Sequence, residues 1–197
     1  MAETVPEIVA ETPRLLLQEW DDASRAEFAR VTNTPAVMQW LGGVSGPAAL
    51  AAAFERLDSY QRDHGHTLWA VARKTDAALL GFCGLKRVNS PGGEGLHGQF
   101  EIGWRFREDS WGQGYAKEAA IAAMDLAFDR FGAPHVVALT VPGNVASLGL
   151  MKRLGMICRD DLHFDGQLAP GSGASQLTIV YRIDAADWPM ARAAALA

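Results

Sequence analysis

The sequence is poor in cysteine, in runs of positive charge and in long apolar stretches. It has only two cysteines among 197 residues, Cys83 and Cys158. Each stands in an apolar-looking segment, which suggests two buried thiols in a reducing compartment. No CxxC or Cys/His cluster gives metal-ligand spacing, so no metal is expected. His64 and His66 flank Gly65 and are expected to be loop histidines. No Lys/Arg run exceeds two residues, and 18 basic against 23 acidic residues leave a net charge of −5. That balance disfavours nucleic acid and is compatible with cationic substrates. The apolar run around Ala48 to Phe54 is too short to span a bilayer. The opening segment lacks the charged-then-apolar order of a signal peptide. A cytoplasmic protein that avoids membranes is therefore expected.

What is present is enough to build one core: 49% hydrophobic residues against 21% charged. We expect a flexible leader over 1–12 and a single domain over 13–197. Arg14 to Trp20 reads as a strand, and Asp21 or Asp22 caps the helix after it. Pro47 opens a helix to about Arg62. Thr67–Arg73 and Leu79–Val88 form an expected hairpin. Phe100–Arg107 reads as a strand that leads through Gly112 and Gly114 into the strongest helix. That helix carries an apolar stripe from Ala116 to Phe131. His135–Val141 is β-branched, Asn144 caps a helix that Gly155 stops, and strands are expected at Met156–Asp160 and Gln176–Ile183. A short helix is expected after Asp184. The order gives an α+β class. Two loops, 89–98 and 165–175, exceed ordinary connection lengths and are the first candidates for substrate contact.

The chemistry concentrates at Glu101–Ala119, EIGWRFREDSWGQGYAKEA. A strand, a glycine-bearing turn and a helix start aim free N–H groups at one spot, which suits a phosphate. A Walker A loop would need Gly-Lys-Ser/Thr, which is absent. A dinucleotide fingerprint would need glycine where Lys117 stands, which opposes an oxidoreductase.

Gly114-Tyr115-Ala116 resembles half of the acyl-CoA loop of the GNAT acyltransferases, Gln/Arg-x-x-Gly-x-Gly/Ala. Trp111 replaces the consensus Gln/Arg. The run Trp-Gly-Gln-Gly-Tyr-Ala-x-Glu-Ala is similar to the branch of ribosomal-protein N-terminal acetyltransferases. Thr12-Pro13-Arg14-Leu15, Trp69-Ala70-Val71 with Gly81, Asn144-x-x-Ser147 and Lys152-Arg153-Leu154-Gly155-Met156 extend the resemblance over about residues 12 to 183.

The resemblance implies a GNAT fold: a mostly antiparallel mixed sheet of six to seven strands, splayed at the acyl-CoA site and flanked by helices. It implies acetyl-CoA as co-substrate. Its pantetheine would pair with main-chain groups of Trp104, Arg105 and Phe106. The pyrophosphate would sit on amides of Gly112, Gln113, Gly114 and Ala116, with Trp111 and Tyr115 in the same segment. Asn144 matches a residue that contacts the pantetheine arm, and it serves equally as a helix N-cap. Glu101 matches a strand position that holds a general base in some members; a structural or substrate-orienting carboxylate is the other reading. Ser147 matches a position facing the departing sulfur, or it back-bonds to its own helix. Many members place a tyrosine acid seven residues after the asparagine, where this chain has Met151. Glu118 reads as charge placement at a helix start.

The implied activity is direct acetyl transfer to a primary amine, either a protein or peptide N-terminus or a small molecule such as an aminoglycoside or polyamine. A noncatalytic acyl-CoA-binding protein is the alternative. The sequence leaves the oligomeric state open, a homodimer included.

Overall fold

In the computed structural model, residues 6–166 and 175–197 are described. Alternation of side chains decides the layering. On strand β3 (Leu68–Arg73), Trp69 and Val71 enter one core while Leu68 and Ala70 enter another. On β4 (Leu79–Arg87), Cys83 and Leu85 take the first side and Phe82 the second. A strand covered on both faces reads as a continuous apolar run, as these two do.

The first face is covered by α4 (Tyr115–Asp125), where Ala119, Ala120 and Ala123 are fully buried. These small side chains let the helix lie close to the sheet. The helix then widens into a π-turn over Leu126–Arg130. The second face is covered by α1 (Asp22–Thr32) and α3 (Pro47–His64), which contribute Phe28 and Leu57. Asp21 caps α1 through a reciprocal capping box with Ser24. A short α2 (Pro35–Met38) lies between them.

The remaining strands are β1 (Ile8–Glu11), β2 (Leu15–Gln18), β5 (Phe100–Phe106), β6 (His135–Thr140), β7 (Ile157–Cys158), β8 (Phe164–Gly166) and β9 (Gln176–Asp184). Helix α5 (Val145–Arg153) links β6 to β7, and α6 (Trp188–Leu196) follows β9. The sheet order is β1-β2-β3-β4-β5-β6-β9-β7, with β8 also paired to β9. Every pairing is antiparallel except β5 with β6. The mixed α+β class and the mostly antiparallel sheet are as expected. The described residues form nine strands, more than the six to seven expected, because short edge pieces with weak alternation also join.

Four local expectations need correction. Ile8–Glu11, expected within a loose leader, pairs with β2 as an edge strand. Of the two expected loop histidines, His64 is the last residue of α3, and His66, in the link between α3 and β3, is fully buried with Nδ1 3.1 Å from the Leu85 carbonyl. Cys158 is exposed, because its strand is a two-residue edge, whereas Cys83 is buried as expected. Of the loop expected over 165–175, Asp165 and Gly166 belong to β8, and 167–174 lie outside the described residues.

Candidate active site

Strands β5 and β6 run parallel but pair only at Phe100–Val136 and Glu101–Val137. Past that point β6 stays with β9 as far as Thr140, and β5 stays with β4 as far as Phe106. The sheet therefore forks, with Glu101 at the apex. The Arg107 N–H donates to the Leu80 carbonyl at 2.8 Å. By the alternation of strand backbone, Arg105 also turns its amide and carbonyl to β4, while Trp104 and Phe106 turn theirs to the open gap. This corrects the expectation for Arg105, whose main chain belongs to the β4 ladder. The Phe106 carbonyl already accepts Trp111 Nε1 at 2.9 Å, and the Trp111 ring is half exposed.

At the far end of β5, a turn leads to the α4 N-terminus. Gly112 and Gly114 have φ of +72° and +81°, a region that glycine enters without steric cost. No side chain caps α4. Among the described residues, the amides of Gly112 to Ala116 have no hydrogen-bond acceptor. A Cβ at Gly112 would meet nothing within 4 Å. An open cradle of free donors at the positive end of a helix fits a phosphate group.

The cradle is braced from the start of β2. Arg14 donates from Nη1 to the Gln113 carbonyl at 3.0 Å and from Nε to Glu118 at 2.6 Å, and its guanidinium lies 4.5 Å over the Tyr115 ring. Glu118 also accepts from Thr12 Oγ1 at 2.6 Å and from the Arg14 amide at 2.8 Å. Burial raises the Glu118 pKa, but these donors outweigh it and hold the group below the ordinary glutamate value. Glu118 is thus a cross-link, a role that placement of charge at a helix start does not include. Lys117, where a dinucleotide loop needs glycine, reaches away to the Ala195 carbonyl at 2.7 Å.

Across the gap, Asn144 caps α5 by accepting from the Ser147 amide at 3.2 Å. The Ser147 hydroxyl does not back-bond: it accepts from Trp104 Nε1 at 3.3 Å. Met151 points into the core and is 1% exposed.

Glu101 lies opposite Lys86 in the β4–β5 register and pairs with it at 2.8 Å. The Glu101 side chain is buried and the Lys86 side chain, taken as a whole, is partly open. Burial pulls the Lys86 pKa down, but the Glu101 charge outweighs it and the net shift is upward. Lys86 was not foreseen; only the strand register shows that it faces Glu101. Arg105 shares the Glu101 face. Its guanidinium stands over Phe82 and Phe28, at 5.3 and 5.5 Å, without an ion partner among the described residues. Burial pushes its pKa down to about 10.

The sequence model of the acetyltransferase (GNAT) domain family matches residues 14–157. The chain belongs to the GNAT acetyltransferase family. It is 37% identical to the uncharacterized N-acetyltransferase YnaD of Bacillus subtilis (strain 168) over 145 residues, 74% of this chain and 80% of that one. The crystal structure of the acetyltransferase from Agrobacterium tumefaciens str. C58 superposes with a TM-score of 0.71 at 24% identity, covering 88% of this chain and 92% of that one. The ribosomal-protein-S5-alanine acetyltransferase from Vibrio fischeri shares the fold, with a TM-score of 0.66 over 94% of this chain and 99% of that one, at 15% identity. GNAT acetyltransferases use acetyl-CoA. The forked strand edge and the open amide cradle of this GNAT enzyme fit a long amide-bearing arm that ends in phosphates. Among the described residues no helix is long and apolar enough to cross a membrane.

Proposed function

We propose that this N-acetyltransferase moves the acetyl group of acetyl-CoA directly to a primary amine, with a protein or peptide N-terminus as the favoured acceptor. The observation that carries the reading is the position of Glu101, a buried carboxylate at the apex of a fork whose far end is a free-amide cradle. Acetyl-CoA supplies the activated thioester. The amides of Gly112, Gln113, Gly114 and Ala116 hold its pyrophosphate, with Trp111 and Tyr115 beside them. The open edge of Trp104 and Phe106 receives the pantetheine amides, and Asn144 borders the arm from α5.

Glu101 takes a proton from the attacking amine, directly or through one water. The demand is modest, because an α-amine with a pKa of about 8 is already roughly one-tenth neutral near pH 7. The amine nitrogen bonds to the carbonyl carbon, the carbon–sulfur bond breaks, and Ser147 donates a hydrogen bond to the departing sulfur. The resemblance of the Trp-Gly-Gln-Gly-Tyr-Ala sequence to the ribosomal-protein branch favours a peptide N-terminus, and the Vibrio fischeri neighbour is named for an alanine of a ribosomal protein. Aminoglycosides and polyamines form the competing acceptor class.

Thiol release from acetyl-CoA, measured across peptides, aminoglycosides, polyamines and amino acids, tests the reading. Acceleration by a peptide whose product carries an N-terminal acetyl group supports it. Acceleration by small amines alone moves the enzyme to the second class. Tight acetyl-CoA binding without turnover on any amine would leave a noncatalytic acyl-CoA-binding protein.

A further inference from the structure

The β7 edge of the sheet carries chemistry that acetyl transfer does not use. After β7 the chain makes a tight turn over Asp160–Leu162, and three unlike side chains converge there. Cys158 Sγ lies 3.2 Å from Asp160 Oδ1 and 3.6 Å from His163 Nε2. His163 Nε2 lies 3.7 Å from the same Asp160 oxygen.

Those separations match one face of a coordination tetrahedron. With zinc bond lengths of about 2.3 Å to sulfur, 2.0–2.1 Å to nitrogen and 2.0–2.2 Å to oxygen, tetrahedral angles require S···N near 3.6 Å, S···O near 3.5 Å and N···O near 3.3 Å. Each observed distance agrees to within about 0.4 Å of this geometry. We propose that Cys158, Asp160 and His163 form a binding site for a borderline-soft divalent cation of the zinc type, with water at the fourth vertex.

The donor types fit such an ion, since thiolate and imidazole are poor ligands for magnesium or calcium. Two anionic ligands would neutralise its charge. The backbone is already shaped for the site. Cys158 pairs with Tyr181 of β9, the Arg159 amide donates to the Val180 carbonyl at 2.9 Å, and the Leu162 amide donates to the Arg159 carbonyl at 2.9 Å. Arg159 also holds the Asp161 carboxylate at 2.7 Å, which keeps that neighbour away from the site. The Asp160 side chain is 88% exposed and leaves the fourth vertex open to water.

A nucleophilic relay is the other reading of a Cys-His-Asp set, and the geometry opposes it. A relay needs thiol and carboxylate on opposite ring nitrogens, so that one orients the ring for the other. Here both meet Nε2, which is convergence on a point. In the metal-free chain the Cys158 thiol donates to Asp160. Binding sends that proton to solvent and puts the cation in its place. The site is structural: it clips the turn between β7 and β8, two strands from β6 in the sheet order, and does not depend on the acetyl-transfer reading.

Cobalt(II) is the direct probe, added to tag-free, chelator-treated, reduced protein. The expected spectrum has a near-ultraviolet thiolate-to-cobalt charge-transfer band and strong visible bands of tetrahedral cobalt, saturating at one ion per chain. Zinc should abolish both bands and raise Tm. Cys158→Ser and His163→Gln should each weaken zinc binding by at least about tenfold, measured against a chromophoric chelator. Cys83→Ser should leave the spectrum intact if it folds. Circular dichroism checks the fold of each variant, and loss of structure at exposed Cys158 is not expected. A wild-type spectrum without the charge-transfer band, or a band that survives Cys158→Ser, would overturn the site.

Discussion

Trp104 Nε1 donates to Ser147 Oγ at 3.3 Å, and this bond ties β5 to α5 across the open gap. The hydroxyl is therefore held as an acceptor by the indole while its own proton stays free for another partner. Met151 is turned into the core, so Ser147 is the donor best placed for a departing thiolate. A hydrogen bond to a developing charge contributes about 1.5–3 kcal/mol. Ser147→Ala should then lower kcat by roughly 10- to 150-fold and change acetyl-CoA binding less, because the resting thioester carries no such charge. Trp104→Phe keeps the hydroxyl and should cost less. Acyl donors with more acidic thiols should narrow the Ser147→Ala defect. An equal defect with both donors would remove Ser147 from the departure step.

The Glu101–Lys86 pair predicts opposite orders for stability and activity. Lys86→Met leaves a buried carboxylate uncompensated, which costs about 3 kcal/mol, the low end for buried pairs because Lys86 is partly open. Adding Glu101→Gln removes that orphaned charge, so the double variant should be more stable than Lys86→Met alone in denaturant titrations. Glu101→Gln alone should lower turnover by about 10²-fold, the low end for a general base. Its defect should shrink as pH rises and free amine accumulates. Wild-type turnover by Glu101→Gln at every pH would make the carboxylate a bystander.

Gly114→Val tests the cradle. A Cβ at this position meets only the Arg14 Nη2 terminus, at 3.4 Å, so packing tolerates it. The φ of +81° is what valine resists, at about 1–2 kcal/mol. The variant should fold, with a lower Tm, and bind acetyl-CoA at least about tenfold more weakly, since relaxing the strain turns the amides away from the phosphates. Unchanged affinity, read by titration calorimetry on the folded variant, would remove the loop from cofactor binding.

The parts legible in the sequence were those whose signals are local. The alanine-rich stripe of α4, the Asp21 and Asn144 caps and the glycine turn each sit within one element, and all were found there. Registers and burial are not local. Lys86 meets Glu101 only because β4 and β5 align without a slip, and the direction of the Arg105 peptide follows from that same alignment. Glu118 reads as an ordinary first-turn acid until the Thr12–Arg14 segment is folded against it. Cys158 reads as core because its neighbours Met156 and Ile157 are apolar, yet only Met156 is buried and the two-residue strand exposes the rest. The same turn assembles its three donors from a pattern that matches no familiar ligand spacing.

His66 makes stability depend on pH on the acid side of neutrality. Its ring is enclosed by Phe100 and Phe131, each 5.2 Å away, and by His64 at 5.6 Å. The Leu85 carbonyl can only accept, so Nδ1 carries the proton of the neutral ring, and Nε2 is buried without a hydrogen-bond partner among the described residues. Burial pulls the pKa down to about 4; the Leu85 carbonyl opposes this, and the Arg87 and His64 charges add to it. The folded value lies below the unfolded one of about 6.5. As pH falls through 6.5 the unfolded chain takes up a proton that the folded chain refuses, and stability declines until about pH 4, where the folded ring is protonated too. His66→Phe removes this titration while filling similar space, at the cost of leaving the Leu85 carbonyl without its side-chain donor. Groups remote from His66 titrate in both proteins, so the difference between the two curves reports His66 together with its coupling to His64. Denaturation midpoints at pH 7, 6 and 5 should fall more steeply for the wild type than for His66→Phe. Parallel curves would mean that the ring is protonated as easily in the core as in the unfolded chain.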